Sequence, residues 1–181
     1  MMTVDTIKYF LARKKDTAAI DWNQVYDDLL PRVYNFFRYR FQENQLAEDL
    51  TAVTLIRAWE SRERYQADLA RFSTWVMGIA RHVAADEWRR QQVNWVPLEQ
   101  VEEISREDLV ETAVEQRQHL AELEIHLQQL KPVEQELIAL KYGAGLNNRA
   151  IASLMDLSES NVGTSLHRVV KKLRVQMEVD R

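Results

Sequence analysis

The residues of this chain best equipped for chemistry are cations and aromatic rings. Arg81, His82, Arg89 and Arg90 fall in one stretch with Trp75 and Trp88. Cations neutralise phosphates and flat rings stack on unpaired bases, so this interleaving suits single-stranded nucleic acid. A second concentration, His167, Arg168, Lys171, Lys172 and Arg174, lies near the C-terminus. No nucleophile–base–orienter pattern, glycine-rich phosphate loop or metal-ligand motif is present, which points away from an enzyme, with no catalytic residue and no cofactor. His119 and His126 share a predicted helix face, but they lie in an acidic, exposed-looking region and are not expected to bind metal.

The C-terminal cations belong to a recognisable local pattern. Ile151, Ala152, Leu154 and Met155 recur at helical spacing, predicting a short helix from about Asn148 to Met155. Asp156-Leu157-Ser158 interrupts it, and Ser158 is a suitable N-cap for a second helix beginning at Glu159. Val162, Leu166, Val169, Val170 and Leu173 give that helix one apolar face. Two helices joined by a short turn form a helix-turn-helix, whose second helix would enter a DNA major groove. An ordinary helical hairpin within a core satisfies the same spacing. The basic end favours DNA, because cations there suit phosphates as well as the helix dipole.

Composition sets the frame for both clusters. The 181 residues are 46% hydrophobic, with only 4 Gly and 3 Pro, so long unpunctuated stretches favour an all-α fold. The absence of cysteine excludes disulfides and thiolate metal sites and suits a reducing cytoplasm. No apolar run reaches the length of a membrane span, and residues 1–26 lack a secretory signal, so a cytoplasmic protein is expected. The net charge of −4 is unevenly distributed. Residues 1–92 carry 14 basic and 13 acidic groups, residues 93–130 carry 2 and 9, and residues 131–181 carry 8 and 6. The acidity therefore sits between two neutral-to-basic halves.

The chain divides accordingly. Residues 1–21 form a weakly patterned N-terminal extension. Residues 22–92 predict three helices with short links. The first carries Val25, Leu29, Val33, Phe36, Phe37 and Phe41, with Pro31 expected to kink or divide it. The second presents Leu46, Leu50, Val53, Leu55, Ile56 and Trp59, and the third presents Phe72, Trp75, Val76, Ile79, Ala80, Val83 and Ala84. Residues 93–114 read as an acidic linker. Residues 115–181 predict a second all-α domain, in which a helix over 117–129 and another from Pro132, ended by Gly143 and Gly145, precede the helix-turn-helix.

Two segments resemble one family. AEDLTAVTLIRAW followed by FSTWVMGIARHVAADEWRR resembles region 2 of bacterial RNA polymerase sigma factors of the extracytoplasmic-function (ECF) type. LKPVEQELIALKYGAGLNNRAIASLMDLS resembles their region 4. The resemblance runs from about Trp22 to Arg174, and the order of domain, acidic linker and helix-turn-helix domain matches this minimal class.

The resemblance implies roles that spacing alone does not. Glu48, Asp49, Leu50, Thr54 and Arg57 match the segment that binds the clamp helices of the largest polymerase subunit. Tyr65 to Phe72 is similar to the loop that receives a flipped base of the minus-10 element, and Arg81, His82, Asp86, Arg89 and Arg90 fall on the helix facing that DNA. Trp75 matches a core tryptophan, whereas Trp88 fits either core or surface. For the minus-35 element the matching positions are Arg149, Ser158, Glu159, Ser160, Asn161, Thr164, Ser165, His167, Arg168, Lys171 and Lys172. Exposed solvated charge is the competing reading for Lys171 and Lys172. The implied partners are core RNA polymerase, through clamp and flap, promoter DNA and an anti-sigma factor.

Some positions depart from the family. Gly163 and Ser165 stand where most relatives have cations, Ala52 where a Gln is usual, and His82 where an Asn is usual. Losing two phosphate-reaching charges weakens the salt-sensitive part of DNA affinity. Two other classes fit the residues alone: a helix-turn-helix regulator acting without polymerase, and a helical adaptor binding only protein.

Overall fold

The computed structural model describes residues 22–93 and 122–179. The N-terminal extension, the acidic linker from residue 94 onward and His119 lie outside these residues. Helix α1 spans Trp22–Phe41, α2 Asn44–Glu60, and α3 Phe72–Val93, with a 3-10 turn at Arg62–Arg64 between α2 and α3. Residues 122–128 are helical. Helix α4, Pro132–Ile138, runs into a π turn at Ala139–Gly143, followed by α5, Asn148–Met155, and α6, Glu159–Val179. No strand occurs among the described residues.

Helix α1 buries Leu29, Val33, Phe36 and Phe37, an i, i+4, i+7, i+8 stripe. It continues through Pro31 as one helix, against the expected division into two. Pro31 is exposed, so the missing N–H is lost on the solvent side, while the apolar stripe holds both halves against the core. Helix α2 also differs from its sequence pattern. Its buried residues are Ala47, Leu50, Thr51, Thr54, Leu55 and Ala58, whereas Val53 is 38% exposed. Small residues on that face let α2 approach α1 and α3 closely, which outweighs the bulk of Val53. The two buried threonines satisfy themselves: Thr51 donates to the Ala47 carbonyl at 2.6 Å and Thr54 to that of Leu50 at 2.8 Å. Periodicity counts such threonines as polar, and this hides the inward face.

The second unit, residues 122–179, has its own apolar centre in Leu127, Leu137, Ile138, Ile151, Val162, Leu166 and Val169. His126, expected in an exposed region, is buried. At the π turn, Ala144 N–H reaches the Ala139 carbonyl at 2.8 Å, one residue beyond an α-helical bond. The turn presses Gly143 against α1. A Cβ on Gly143 would lie 2.7 Å from the Asn35 carbonyl oxygen and 3.0 Å from the Phe36 Cα. No side chain fits there. Through this contact one continuous core runs from Val33, Phe36 and Phe37 to Ala139, Leu140 and Ala144.

Polar contacts reinforce the seam between the units. Arg32 Nε donates to the Ala144 carbonyl at 2.7 Å, and Arg38 pairs with Glu124. Arg40 is buried; its guanidinium donates to Gln135 and lies 5.0 Å over the Trp88 ring. Desolvation lowers the pKa of Arg40, and nearby Glu136 opposes that shift.

Candidate nucleic-acid interface

Local capping builds the C-terminal hairpin. Asn147 accepts the Ala150 N–H at 2.8 Å and starts α5. Asp156 ends it in the left-handed conformation, φ 54° and ψ 48°, where short polar residues are tolerated better than branched ones. Ser158 Oγ then accepts the Asn161 N–H at 3.1 Å, the cap expected for α6. Ile151 and Val162 are fully buried between the two helices and fix their crossing. The helix-turn-helix expected from the spacing is present with its apolar faces turned inward.

The remaining face of α6 is open. Glu159, Ser160, Asn161, Thr164, His167, Arg168, Lys171 and Lys172 are exposed, and Ser165 is half-buried. Thr164 donates to the Ser160 carbonyl at 3.0 Å and Ser165 to Asn161 Oδ1 at 3.1 Å, so both hydroxyl oxygens can still accept. Ser160, Thr164, Arg168 and Lys171 follow one another along a single stripe. Lys172 lies 3.7 Å from Glu134 and is partly neutralised. Arg149 is exposed on α5.

Beside this stripe runs an open groove of about 600 Å³, lined by Lys141, Tyr142, His167, Lys171 and Arg174 over Leu166 and Val170. Lys141 donates to Asn148 Oδ1 at 2.9 Å. Lys141 and Tyr142 are missed by the sequence pattern. Their helical register reads as the end of a core helix, and only the π turn rotates them toward α6.

Gly163 faces Asn148, and a Cβ there would meet its Nδ2 at 3.6 Å, an ordinary contact. Gly163→Ala is therefore expected to raise stability by about 0.5–1 kcal/mol, the helix-interior difference between the two residues. Thermal unfolding should rise by roughly 1–4 °C. An unchanged or lower melting temperature would mean that Asn148 cannot accommodate the methyl group.

In the first unit the rings of Tyr65, Phe72 and Trp75 form a cluster, with centroids 5.0 to 5.5 Å apart. Tyr65 donates its hydroxyl to the Ala70 carbonyl at 3.0 Å, pinning the loop. The loop tip leaves Leu69 76% exposed, an apolar surface that the sequence pattern passes over. His82, Asp86, Arg89 and Arg90 are exposed on α3.

Asp86 is a junction between charges. It receives Arg89 at 2.5 Å and Arg57 at 3.2 Å, and these hydrogen bonds, Arg89 foremost, hold its carboxyl below the ordinary range. Arg57 and Asp86, assigned by resemblance to different partners, are bonded to each other across α2 and α3. Arg90 pairs at 2.7 Å with the largely buried Glu87. Arg81 turns away from the other α3 cations: its Nε lies 2.5 Å from Glu136, and it also donates to the Leu154 carbonyl.

On α2, Glu48 and Asp49 are exposed, and Asp49, Val53 and Arg57 follow each other at four-residue intervals. Leu50 and Thr54, expected at a polymerase surface, are instead buried. They lie beneath the exposed α2 face that carries Glu48, Asp49, Val53 and Arg57. Among the described residues no acidic–histidine group is arranged to hold a metal ion, and no helix is long and apolar enough to cross a membrane.

The fold is all-helical among the described residues, with a capped helix-turn-helix in its second unit. Residues 25–93 match the model of sigma-70 region 2, and residues 120–173 match that of sigma-70 region 4. The chain belongs to the sigma-70 family of RNA polymerase sigma factors, in its ECF group. It is 30% identical to the RNA polymerase sigma factor CarQ of Myxococcus xanthus, over 91% of this chain and 93% of CarQ. It is 29% identical to the ECF RNA polymerase sigma factor SigX of Bacillus subtilis, over 86% of this chain and 82% of SigX. In fold it is similar to the sigma factor RpoE crystallised with the anti-sigma factor NepR from Bartonella quintana. There the TM-score is 0.68 at 20% identity, covering 89% of this chain and 99% of the other. As a sigma factor the protein directs RNA polymerase to promoters.

Proposed function

We propose that the two units divide promoter recognition between them. The exposed α2 face, with Glu48, Asp49, Val53 and Arg57, engages the polymerase clamp. The Tyr65–Phe72 loop and the α3 cations capture the unpaired strand at minus-10. Helix α6 reads minus-35 as duplex through Ser160, Thr164, Ser165 and Arg168, with Arg149 and Lys171 positioned for phosphates. The residues contribute binding and orientation, while bond formation belongs to the polymerase. The protein acts in the cytoplasm, and the anti-sigma partner in the RpoE complex suggests that this chain too is held inactive by such a protein.

The observation that carries this reading is the open polar and basic stripe on α6, presented by a capped helix-turn-helix downstream of a region 2 module. Reconstitution with core polymerase and mapping of transcript starts tests it. Starts that share two spaced upstream elements are expected; initiation identical to core enzyme alone would refute it. Homodimers on palindromic DNA with no polymerase complex would instead identify a free-standing regulator.

Arg168→Ala separates recognition from folding. Its exposed side chain contributes little to packing. The substitution should weaken promoter affinity by roughly 1–3 kcal/mol and, where phosphate is the contact, lower the salt slope by about 1. Salt-series binding measurements check it, and unaltered affinity at every salt concentration would remove Arg168 from the recognition surface.

A further inference from the structure

We propose that Asp86 is a specificity-determining residue: by holding Arg57 and Arg89 it disfavours duplex DNA on the minus-10 face and reserves that face for an unpaired strand. The inference rests on the minus-10 reading of α3 and names the group that sets its preference.

The constellation is built across two helices of the first unit. Asp86, on α3, accepts Arg89 Nη2 at 2.5 Å through one carboxylate oxygen and Arg57 Nη1 of α2 at 3.2 Å through the other. Arg90 is taken up at 2.7 Å by Glu87, whose side chain is only 7% exposed. Three cations thus meet two carboxylates, and the face keeps one net positive charge where the cations alone would give three. Hydrogen bonds from Arg89 and then Arg57 hold the Asp86 carboxyl below the ordinary range, so it is charged at neutral pH. Asp86, Arg57 and Arg89 all stay exposed, and a phosphate can compete for either guanidinium.

Exposed ion pairs contribute little to stability, so a carboxylate set among cations on this face acts mainly on what approaches it. Duplex DNA carries one negative charge per about 1.7 Å of axis, against one per about 3.4 Å along a single strand. A bare basic helix therefore favours duplex, because phosphate density sets the electrostatic gain. Asp86 removes that advantage twice: it repels phosphates itself, and it occupies two guanidiniums that would otherwise seek them. What remains attractive is the ring pair of Tyr65 and Phe72, 5.0 Å between centroids, and the exposed Leu69 at the loop tip. Only bases outside a stack can use such rings. Penalising the wrong ligand gives discrimination that tightening the right one does not.

Asp86→Asn keeps the size of the side chain and removes its charge. The full-length chain, assembled with saturating core polymerase, is measured by fluorescence anisotropy against two probes that lack a minus-35 element. One is a single strand spanning the mapped minus-10 element, the other the same sequence as duplex. The wild type should prefer the single strand. Asp86→Asn should bind the duplex about tenfold more tightly at low salt, with a log–log salt slope steeper by about 2 as two guanidiniums become free. The single strand, with its lower charge density, should gain less, so the preference falls at least threefold. Asp86→Glu should keep the preference. Adding Arg89→Gln to Asp86→Asn should take back about half of the change in slope.

An unchanged preference in Asp86→Asn, with salt slopes like those of the wild type, would overturn the proposal. Equal gains on the two probes would also refute it, by making Asp86 a general brake on DNA binding. Equal losses would do the same, by making it a support for the helix. A wild-type holoenzyme that assembles but shows no preference for the single strand would strike the minus-10 reading and this inference together. A preference that is present but insensitive to Asp86 would strike this inference alone.

Discussion

Phe36→Ala is expected to destabilise the protein by about 3–5 kcal/mol, as truncation of a buried aromatic typically does. Phe36 is fully buried, its ring lies 5.1 Å from that of Phe37, and its Cα abuts Gly143 of the second unit. The cavity therefore opens where both units meet and cannot be closed by moving one helix. Against a total stability of roughly 5–15 kcal/mol, the loss is a large share. Denaturant titration followed by circular dichroism measures it. Val175→Ala, at a side chain 52% exposed, serves as the control and should shift stability by no more than about 0.5 kcal/mol. Similar costs for the two substitutions would mean that Phe36 is not at the centre of the core.

The second large effect concerns polarity in that core. Gln135→Leu should destabilise by about 3 kcal/mol although it preserves bulk, because it strips buried Arg40 of its acceptor. It also removes the donor to the Leu127 and Gln128 carbonyls, at 2.9 and 3.2 Å. Adding Arg40→Met removes the stranded charge and should recover most of the loss, so the pair of substitutions costs less than Gln135→Leu alone. Strict additivity of the two single losses would show that Arg40 and Gln135 are energetically independent despite their contact.

The linear order of residues fixed much of the helical plan. Apolar repeats locate α1, α3 and α6, because each buries one face for most of its length and interior contacts repeat every three to four residues. Local chemistry likewise sets the hairpin: Ser158 caps whatever helix follows it, and Val162 and Leu166 face inward regardless of what lies outside the unit. The exposed stripe of α6 was legible for the same reason, since it is what remains of the helix once its apolar face is assigned. The family resemblance, carried by two separated segments in order, added the biological role.

Tertiary structure alone decided the rest, and in each case the cause is a neighbour distant in sequence. Val53 faces outward and Thr54 inward because small side chains allow α2 to lie close to α1 and α3. Pro31 remains within a continuous helix because the apolar stripe on both sides of it is anchored in one core. Arg81 meets Glu136 across 55 positions, Arg40 meets Gln135 across 95, and Arg32 meets Ala144 across 112. No periodicity spans such intervals. A helix face can be read from its own residues, but whether it meets water, DNA or another helix depends on the free energy of the assembled body.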